Sequence, residues 1–401
     1  LLSMLAGFVC RIKFRLHYFT GQVWVTRRGF PRFFLRNIDR LMGLLATHLL
    51  TDSNSQKKFL EDEKIIKKGR LKVLANGSIC GVDTNQFKPN EELKSDVRFK
   101  LEISRESILL LFLGRLNKDK GILDLAKVLF NLNNQERYKK KIHLLIIGPD
   151  EEKIREQVEN ICKDFIENIH FMDFTDEPEK FMAAADIFCL PSYREGFGMA
   201  ALEAGACALP TVTSKIYGLT DAVSENETGL FHEPGDIAGI EKAIIKLVED
   251  KNLRETMGKN GRERTKNLFE KSYVTGEFVK FINSSLEKFL KKKIVIISST
   301  EISVRVFLKN QINTLSKYYD LTIITNIQNY KSIKELLPDT NIIDLNIRRE
   351  ISYLNDLICF FKLFLIFIKN SYETVFSITP KGGFLSMSSS YLARINNRIH
   401  W

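Results

Sequence analysis

The stretch "YREGFGMAALEAGACALP", Tyr193 to Pro210, sets Glu195 and Glu203 on either side of a glycine pair, with seven residues between them. An apolar run ending near Pro191 leads into it, so the reading is strand, loop, helix, with the helix starting at about Met199. Gly196 and Gly198 let the backbone come close to a ligand, and the free amide groups at the start of the helix suit a phosphate. Glu203 then falls in the second turn, where a carboxylate can accept hydrogen bonds from a ribose diol. Glu195 stays on the loop, within reach of a sugar hydroxyl. Isolated glutamates are usually caps or surface acids; here the glycines and the strand-loop-helix setting favour a ligand.

A second stretch, "LGRLNKDKG", follows "ILLLF" directly. Gly114 ends the strand, and Arg115 and Lys120 lie between it and a helix start, where two cations can neutralise a diphosphate leaving group without a metal. Taken alone, a basic loop is a solvated turn. Beside the two glutamates in one sheet it becomes a site for a nucleotide sugar.

The elements that must position these residues are legible in the alternation of apolar runs with amphipathic segments. "ILLLFLG", "HLLIIG", "IHFMDF", "DIFCLPS" and "ALPTVTS" alternate with helical patterns from Ile108 onward, which predicts a doubly wound parallel sheet with ligands at the carboxyl ends of its strands. Upstream, "FRLHY", "HLLTDS" and "LKVLANG" read as late strands of another such sheet, joined through the polar stretch Asn85 to Glu106. Downstream, "IVIISST", "LTIIT", "NIIDL" and "TVFSIT" read as early strands of one.

Composition excludes several classes. At 401 residues, 44% hydrophobic and 27% charged, the chain has room for two or three domains with real cores. Its six cysteines are scattered without C-x-x-C or metal-ligand spacing, which argues against a disulfide framework or zinc site and for a cytoplasmic setting. The start at Leu1 reads as a truncated one, without the features of a signal peptide. "LICFFKLFLIFI", Leu357 to Ile368, is broken by Lys362 and is shorter than the roughly 20 residues a bilayer crossing takes, so a buried or surface-docked helix is expected. The net charge is +11. In the first fifty residues, Arg11, Lys13, Arg15, Arg27, Arg28, Arg32, Arg36 and Arg40 face only Asp39, which suggests a solvated basic face, phosphorylated ligands or peripheral contact with an anionic membrane. No nucleic-acid motif accompanies the charge, so no nucleic-acid partner is expected.

Four motifs in order, "NGSICGVDTNQF", "GRLNKDKG", "EGFGMAALEA" and "GLTDAVSENETGLFHEPGD", resemble the retaining nucleotide-sugar glycosyltransferases of family 4, over about residues 14 to 290. The resemblance implies an α/β chain of GT-B fold, two Rossmann-like parallel-sheet domains facing each other. It implies that Arg115 and Lys120 bind the donor diphosphate, Glu195 the donor sugar, and Glu203 the ribose. Gly114, Gly196, Phe197, Gly198, Met199 and Ala200 would complete the donor pocket. His17, at the end of "FRLHY", matches the family histidine that reaches the donor sugar from the other domain, and "FTGQVWVTRRG" would lie on the acceptor side. The implied activity is transfer of a hexosyl-type group, with retention, from a nucleotide-sugar donor to a saccharide or lipid-linked saccharide in surface polysaccharide biosynthesis. Neither a cofactor nor a metal is expected. A GT-B sugar-nucleotide epimerase and a catalytically incomplete nucleotide-sugar-binding partner are the alternatives. Turnover of donor without acceptor would favour the first, and donor binding without turnover the second.

The domains expected are residues 1–84, the late part of an amino-terminal domain; 105–270, the donor domain; 271–291, a return helix; and 292–401, which resemble the front of a second such enzyme. Residues 384–401 repeat residues 1–18 at an offset of 383, with seven identities that include Leu2/Leu385, Arg15/Arg398 and His17/His400. One reading is a fragment spanning two fused enzymes. The favoured one is a permuted amino-terminal domain split between the two ends of the chain, with the strand at His17 in the central sheet and its duplicate at His400 displaced. Phe376 and Ile378 stand where the resemblance would put histidines.

Overall fold

A computed structural model describes residues 1–348 and 350–401. The chain divides into two compact units, Leu1–Phe281 and Ile282–Trp401.

The first unit holds two parallel sheets. Strands β1 (Leu16–Phe19), β2 (His48–Thr51) and β3 (Leu71–Lys72) form one, in the order β1-β2-β3. The other comprises β4 (Ile108–Leu113), β5 (Ile142–Ile147), β6 (Ile169–Met172), β7 (Ile187–Leu190), β8 (Thr211–Ser214) and β9 (Gly229–His232), in the order β6-β5-β4-β7-β8-β9. Helices cover both faces of this larger sheet, which is why β4 is an unbroken apolar run rather than an alternating one. Leu109 to Phe112 are fully buried in its core. The strand order reverses between β4 and β7, and the loops leaving those two strands carry Arg115, Lys120 and Glu195. Their carboxyl ends flank the crevice in which such sheets bind ligands. The polar stretch from Asn85 to Glu106 contains a helix, Glu91–Lys100, started by the Asn90 side chain, which accepts a bond from the Leu93 amide at 3.0 Å.

The second unit is one five-stranded parallel sheet of β10 (Lys293–Ile297), β11 (Asp320–Thr325), β12 (Asn341–Asp344), β13 (Thr374–Ser377) and β14 (Asn397–His400), ordered β12-β11-β10-β13-β14. The expected apolar helix spans Tyr353–Asn370 and buries Cys359, Leu363 and Phe367 against the sheet. Its opposite stripe, Leu354, Leu357, Phe361 and Leu365, is exposed. Among the described residues, no helix is long and apolar enough to cross a membrane. Phe376 and Ile378 pack on the apolar cluster that contains Ile296, Leu308 and Ile323.

The permuted domain is corrected by these sheets. β1 to β3 and β10 to β14 do not share a ladder. The open side of β13 is taken by β14, in register Val375↔Arg398 and Phe376↔Ile399. That is the duplicate at His400, so it is integrated rather than displaced. A strand that follows the helix Pro380–Leu392 after four residues closes a far shorter loop than one from the other end of the chain. The repeat is nonetheless folded alike in both places. Arg11 and Arg394 take left-handed φ values of 55° and 56°. Arg15 and Arg398 donate to the carbonyls of Ile12 and Ile395, and their guanidinium groups sit 5.5 Å and 5.3 Å from the rings of Phe8 and Tyr391.

Candidate functional site

The loop after β4 closes in a single turn of 3-10 helix, Lys118–Lys120, and then turns at Gly121. Gly121 has φ 70°, and a Cβ there would lie 2.0 Å from the Pro191 carbonyl oxygen. Only glycine allows that approach between the β4 and β7 loops. The Tyr193 amide donates to the Asp119 carbonyl at 2.8 Å, and so the two loops are tied together beside the residues they carry.

Lys120 and Glu195, read separately in the sequence, are brought together: Nζ to Oε1 is 2.5 Å, with both side chains mostly buried. Ser192 Oγ donates to the same carboxylate oxygen at 2.9 Å. Arg115 is not part of this cluster. It is exposed and faces Glu151 at 3.2 Å, which Asn117 also bonds at 3.1 Å.

The helix Met199–Ala206 starts at Gly198, whose φ of 81° and contact with Leu219 admit no side chain. Glu203 lies on this helix; its carbonyl accepts from the Cys207 amide at 3.1 Å, while its carboxyl is pushed up to about 6 by burial. Phe197 turns its ring inward against Phe269, 5.6 Å between centroids, leaving only its backbone to the loop.

The three-stranded sheet faces this loop cluster. Gly21, just past β1, abuts Gly196, such that a Cβ on it would stand 3.0 Å from the Gly196 amide nitrogen. Thr26 Oγ1 donates to Asp119 at 3.2 Å, and Arg194 pairs with the same carboxylate at 3.2 Å. Gly218 N donates to Ser55 Oγ at 2.7 Å, and the Asn54 and Ser55 amides reach Asp221 at 3.2 Å. His17 lies on β1, paired with Leu49, with its ring 4.4 Å from Phe19 in an edge contact. Burial lowers its pKa below the ordinary histidine value.

Several residues here escaped the sequence reading. Ser192 and Asp119 were not singled out from the sequence. Asp52, at the carboxyl end of β2, is buried with Oδ1 unpartnered, and burial pushes its carboxyl up to about 7. Its Oδ2 lies 3.0 Å from where a Cβ on Gly196 would be. The signal was present as the polar "TDS" closing the apolar "HLL". Among the described residues, no group of three or more histidine, cysteine, aspartate or glutamate side chains is placed to hold a metal ion.

A buried cation and carboxylate thus meet at the switch point of one sheet. Residues 94–264 match the model "Glycosyl transferases group 1". The matched stretch includes Arg115, Lys120, Glu195 and Glu203, while His17 lies outside it. Over 289 residues the chain is 29% identical to the capsular polysaccharide biosynthesis glycosyltransferase CapM of Staphylococcus aureus, covering 72% of this chain and 75% of that protein. It is 30% identical over 195 residues to the D-inositol 3-phosphate glycosyltransferase of Corynebacterium efficiens, 46% of whose length it spans. Among solved structures it resembles HepE of Anabaena in complex with UDP, with a TM-score of 0.61 and 19% identity over 71% of this chain and 75% of that one. Sucrose-phosphate synthase of Thermosynechococcus elongatus gives a TM-score of 0.61 and 24% identity, covering 71% and 72%. These likenesses establish the fold: GT-B, built of Rossmann-like α/β domains, as the motifs implied.

Proposed function

We propose that the chain transfers a glycosyl group from a nucleotide-sugar donor to a hydroxyl of a saccharide or lipid-linked saccharide, with retention, in the assembly of a surface polysaccharide. The observation that carries this reading is the Lys120–Glu195 pair at 2.5 Å. A buried cation and carboxylate that neutralise each other can exchange partners when a donor enters: Lys120 takes a diphosphate oxygen, and Glu195 is released to accept from a sugar hydroxyl. Arg115, paired with Glu151 in solvent, can be recruited to the same diphosphate at little cost, since exposed ion pairs contribute about 0 to 1 kcal/mol. Glu203 holds the ribose diol, the amides of Gly198 to Ala200 the phosphate, and His17 a sugar hydroxyl.

In the transfer step the bond from the anomeric carbon to the diphosphate oxygen breaks and a bond to the acceptor oxygen forms on the same face. The acceptor proton passes to the departing diphosphate. Lys120 and Arg115 stabilise the charge that develops on that oxygen, the role a metal ion has in other transferases, so the reaction is proposed to be metal-independent. The basic amino-terminal segment supports work at the inner face of a membrane, as a peripheral cytoplasmic protein. The test is a thermal-shift screen with UDP-, GDP- and ADP-sugars, followed by NMR of the product's anomeric configuration. An inverted product would overturn retention, and donor binding without transfer to any saccharide would overturn the activity.

A further inference from the structure

Asp52, at the end of β2, has a backbone held on both sides and a carboxyl Oδ1 bonded to nothing. Gln56, fully buried on the helix Asn54–Asp62, accepts from the Asp52 amide at 3.1 Å and from Thr51 Oγ1. It also donates to the Thr20 carbonyl and, at 3.1 Å, to Gln22 Oε1. The Asp52 carbonyl accepts from the Ser78 amide at 2.8 Å. One glutamine thus ties the ends of β1 and β2 together and fixes where the Asp52 carboxyl stands. The residue is only 3% exposed, yet Oδ1 has no partner. A buried polar atom left unsatisfied in so well-tied a segment asks for a role beyond folding.

The carboxyl abuts the donor loop. A Cβ on Gly196 would lie 2.8 Å from the Gly21 amide nitrogen and 3.0 Å from Asp52 Oδ2, and a Cβ on Gly218 would lie 2.2 Å from the Gly196 carbonyl oxygen. Gly196 is therefore threaded between two backbones and one carboxyl, two residues before Gly198, where the helix Met199–Ala206 starts. No cation offsets the charge that Asp52 would carry. Burial first and the Asp52 charge second push the Tyr18 hydroxyl on β1 up. Burial, then Glu203, then Asp52 push the Cys80 thiol up, against Lys271. Glu195, on the donor loop itself, is already paired with Lys120. Burial alone governs Asp52, and it favours the neutral form. An ionised Asp52 would meet an incoming diphosphate as a like charge in buried surroundings, whereas a neutral carboxyl would not, and it can donate a hydrogen bond.

We propose that Asp52 is a positioning residue that holds the loop at Gly196 ready for the donor only in its protonated form, so that donor binding takes up a proton from solvent. This rests on the reading of that loop as the donor site. The donor then binds a form whose share falls as pH rises, and the apparent affinity falls by that share. Glu203 limits donor affinity on the acid side, and Asp52 limits it on the alkaline side.

UDP-glucose, GDP-mannose and ADP-glucose serve as probes, because their diphosphate diesters do not titrate near neutrality. Calorimetric titration of the full chain at pH 7.5, in buffers of different ionisation enthalpy, should show uptake of about 0.5 proton or more per donor bound. Affinity should fall about tenfold or more between pH 6.5 and 8.5. Asp52→Asn is neutral at every pH and close in shape, so uptake should vanish and affinity should vary less than about threefold over that range. A merely structural role would leave the pH profile alike in both proteins. Absence of uptake in the wild type, or equal uptake in the variant, would overturn the proposal. Wild type alone gives a second readout: carbon NMR of labelled aspartate should show one carboxyl with a midpoint of about 7, rising when donor is bound. A midpoint that does not move would also overturn it. Donor binding without proton uptake removes the role of Asp52 alone, whereas failure of all three probes to bind at any pH overturns the donor reading itself.

Discussion

Lys120 and Glu195 leave different strands, β4 and β7, and meet with 2.5 Å between Nζ and Oε1. Each is the other's counter-ion in the absence of donor. Breaking a buried pair by removing one partner leaves the other charge uncompensated. Lys120→Ala removes stabilisation of the departing diphosphate. It should lower kcat by about 10²- to 10³-fold, the usual loss for one preorganised donor. Steady-state kinetics at saturating donor check this, and a kcat within a factor of three of wild type would remove Lys120 from the mechanism.

Glu203 should act through binding instead. Its carboxyl is pushed up to about 6 from 4.5 by burial, and the ionised form is the one that accepts from a ribose diol. As pH falls through about 6 the group takes up a proton, so the donor KM should rise while kcat changes little. The linked stability runs in the opposite sense: a raised carboxyl pKa stabilises the fold fully below 4.5 and loses that contribution as pH rises through about 6. Glu203→Gln should flatten both profiles and raise the donor KM at neutral pH. A donor KM that is flat between pH 5 and 7 in the wild type would contradict the assignment.

Gly121 is where backbone geometry and chemistry meet. Its φ of 70° and a Cβ position 2.0 Å from the Pro191 carbonyl oxygen mean that Gly121→Ala must push the β4 loop away from the β7 loop. Strain of this kind costs of the order of 1–3 kcal/mol. The substitution should lower Tm and also separate Lys120 from Glu195, so kcat should fall even at temperatures where the variant is fully folded. Circular dichroism melts alongside kinetics distinguish the two effects.

Transfer should continue in the presence of EDTA. Two cations, Lys120 and Arg115, stand at the loop after β4 where a diphosphate would leave, and either magnesium or manganese restoring activity lost to the chelator would show that they are insufficient. Product formation is followed with and without chelator at fixed ionic strength, because screening by salt weakens exposed cations such as Arg115.

Most elements were legible because burial dictates composition. The unbroken apolar runs of β4 and β5 reflect strands covered on both faces, and the helix at Met199 was marked by the glycine before it. The last strand of the large sheet, β9 at Gly229–His232, went unread: four residues between polar turns carry too little pattern to signal a strand. Which strands share a sheet was not legible either. Periodicity fixes what a segment becomes, whereas the partner of an open edge is decided by chain connection, and β14 reaches β13 through a short loop. For the site, Lys120 and Glu195 were visible as residue types at strand ends. Ser192, Asp119 and Asp52 were not, since a hydroxyl or carboxylate becomes part of a site only through neighbours that arrive from elsewhere in the chain.

The repeated segment allows one substitution to serve as a control for another. Arg15 and Arg398 make the same turn, donating to the carbonyl three residues earlier and covering an aromatic ring. Arg15 adds a bond from Nε to the Leu45 carbonyl at 2.7 Å, which pins the end of the helix Gly29–Leu45 to the entrance of β1. Hydrogen bonds from charged groups contribute about 1.5–3 kcal/mol, so Arg15→Ala should destabilise its unit more than Arg398→Ala destabilises the other. The functional consequences should differ further. β1 leads directly to His17 and to Gly21, which touches the donor loop at Gly196, whereas β14 belongs to a sheet that shares no ladder with β1. Arg15→Ala should therefore weaken donor affinity, and Arg398→Ala should leave it within a factor of two, as read by nucleotide titration of each variant. Equal losses of donor affinity in the two variants would mean that the strand at His400, rather than only its copy at His17, serves the donor site.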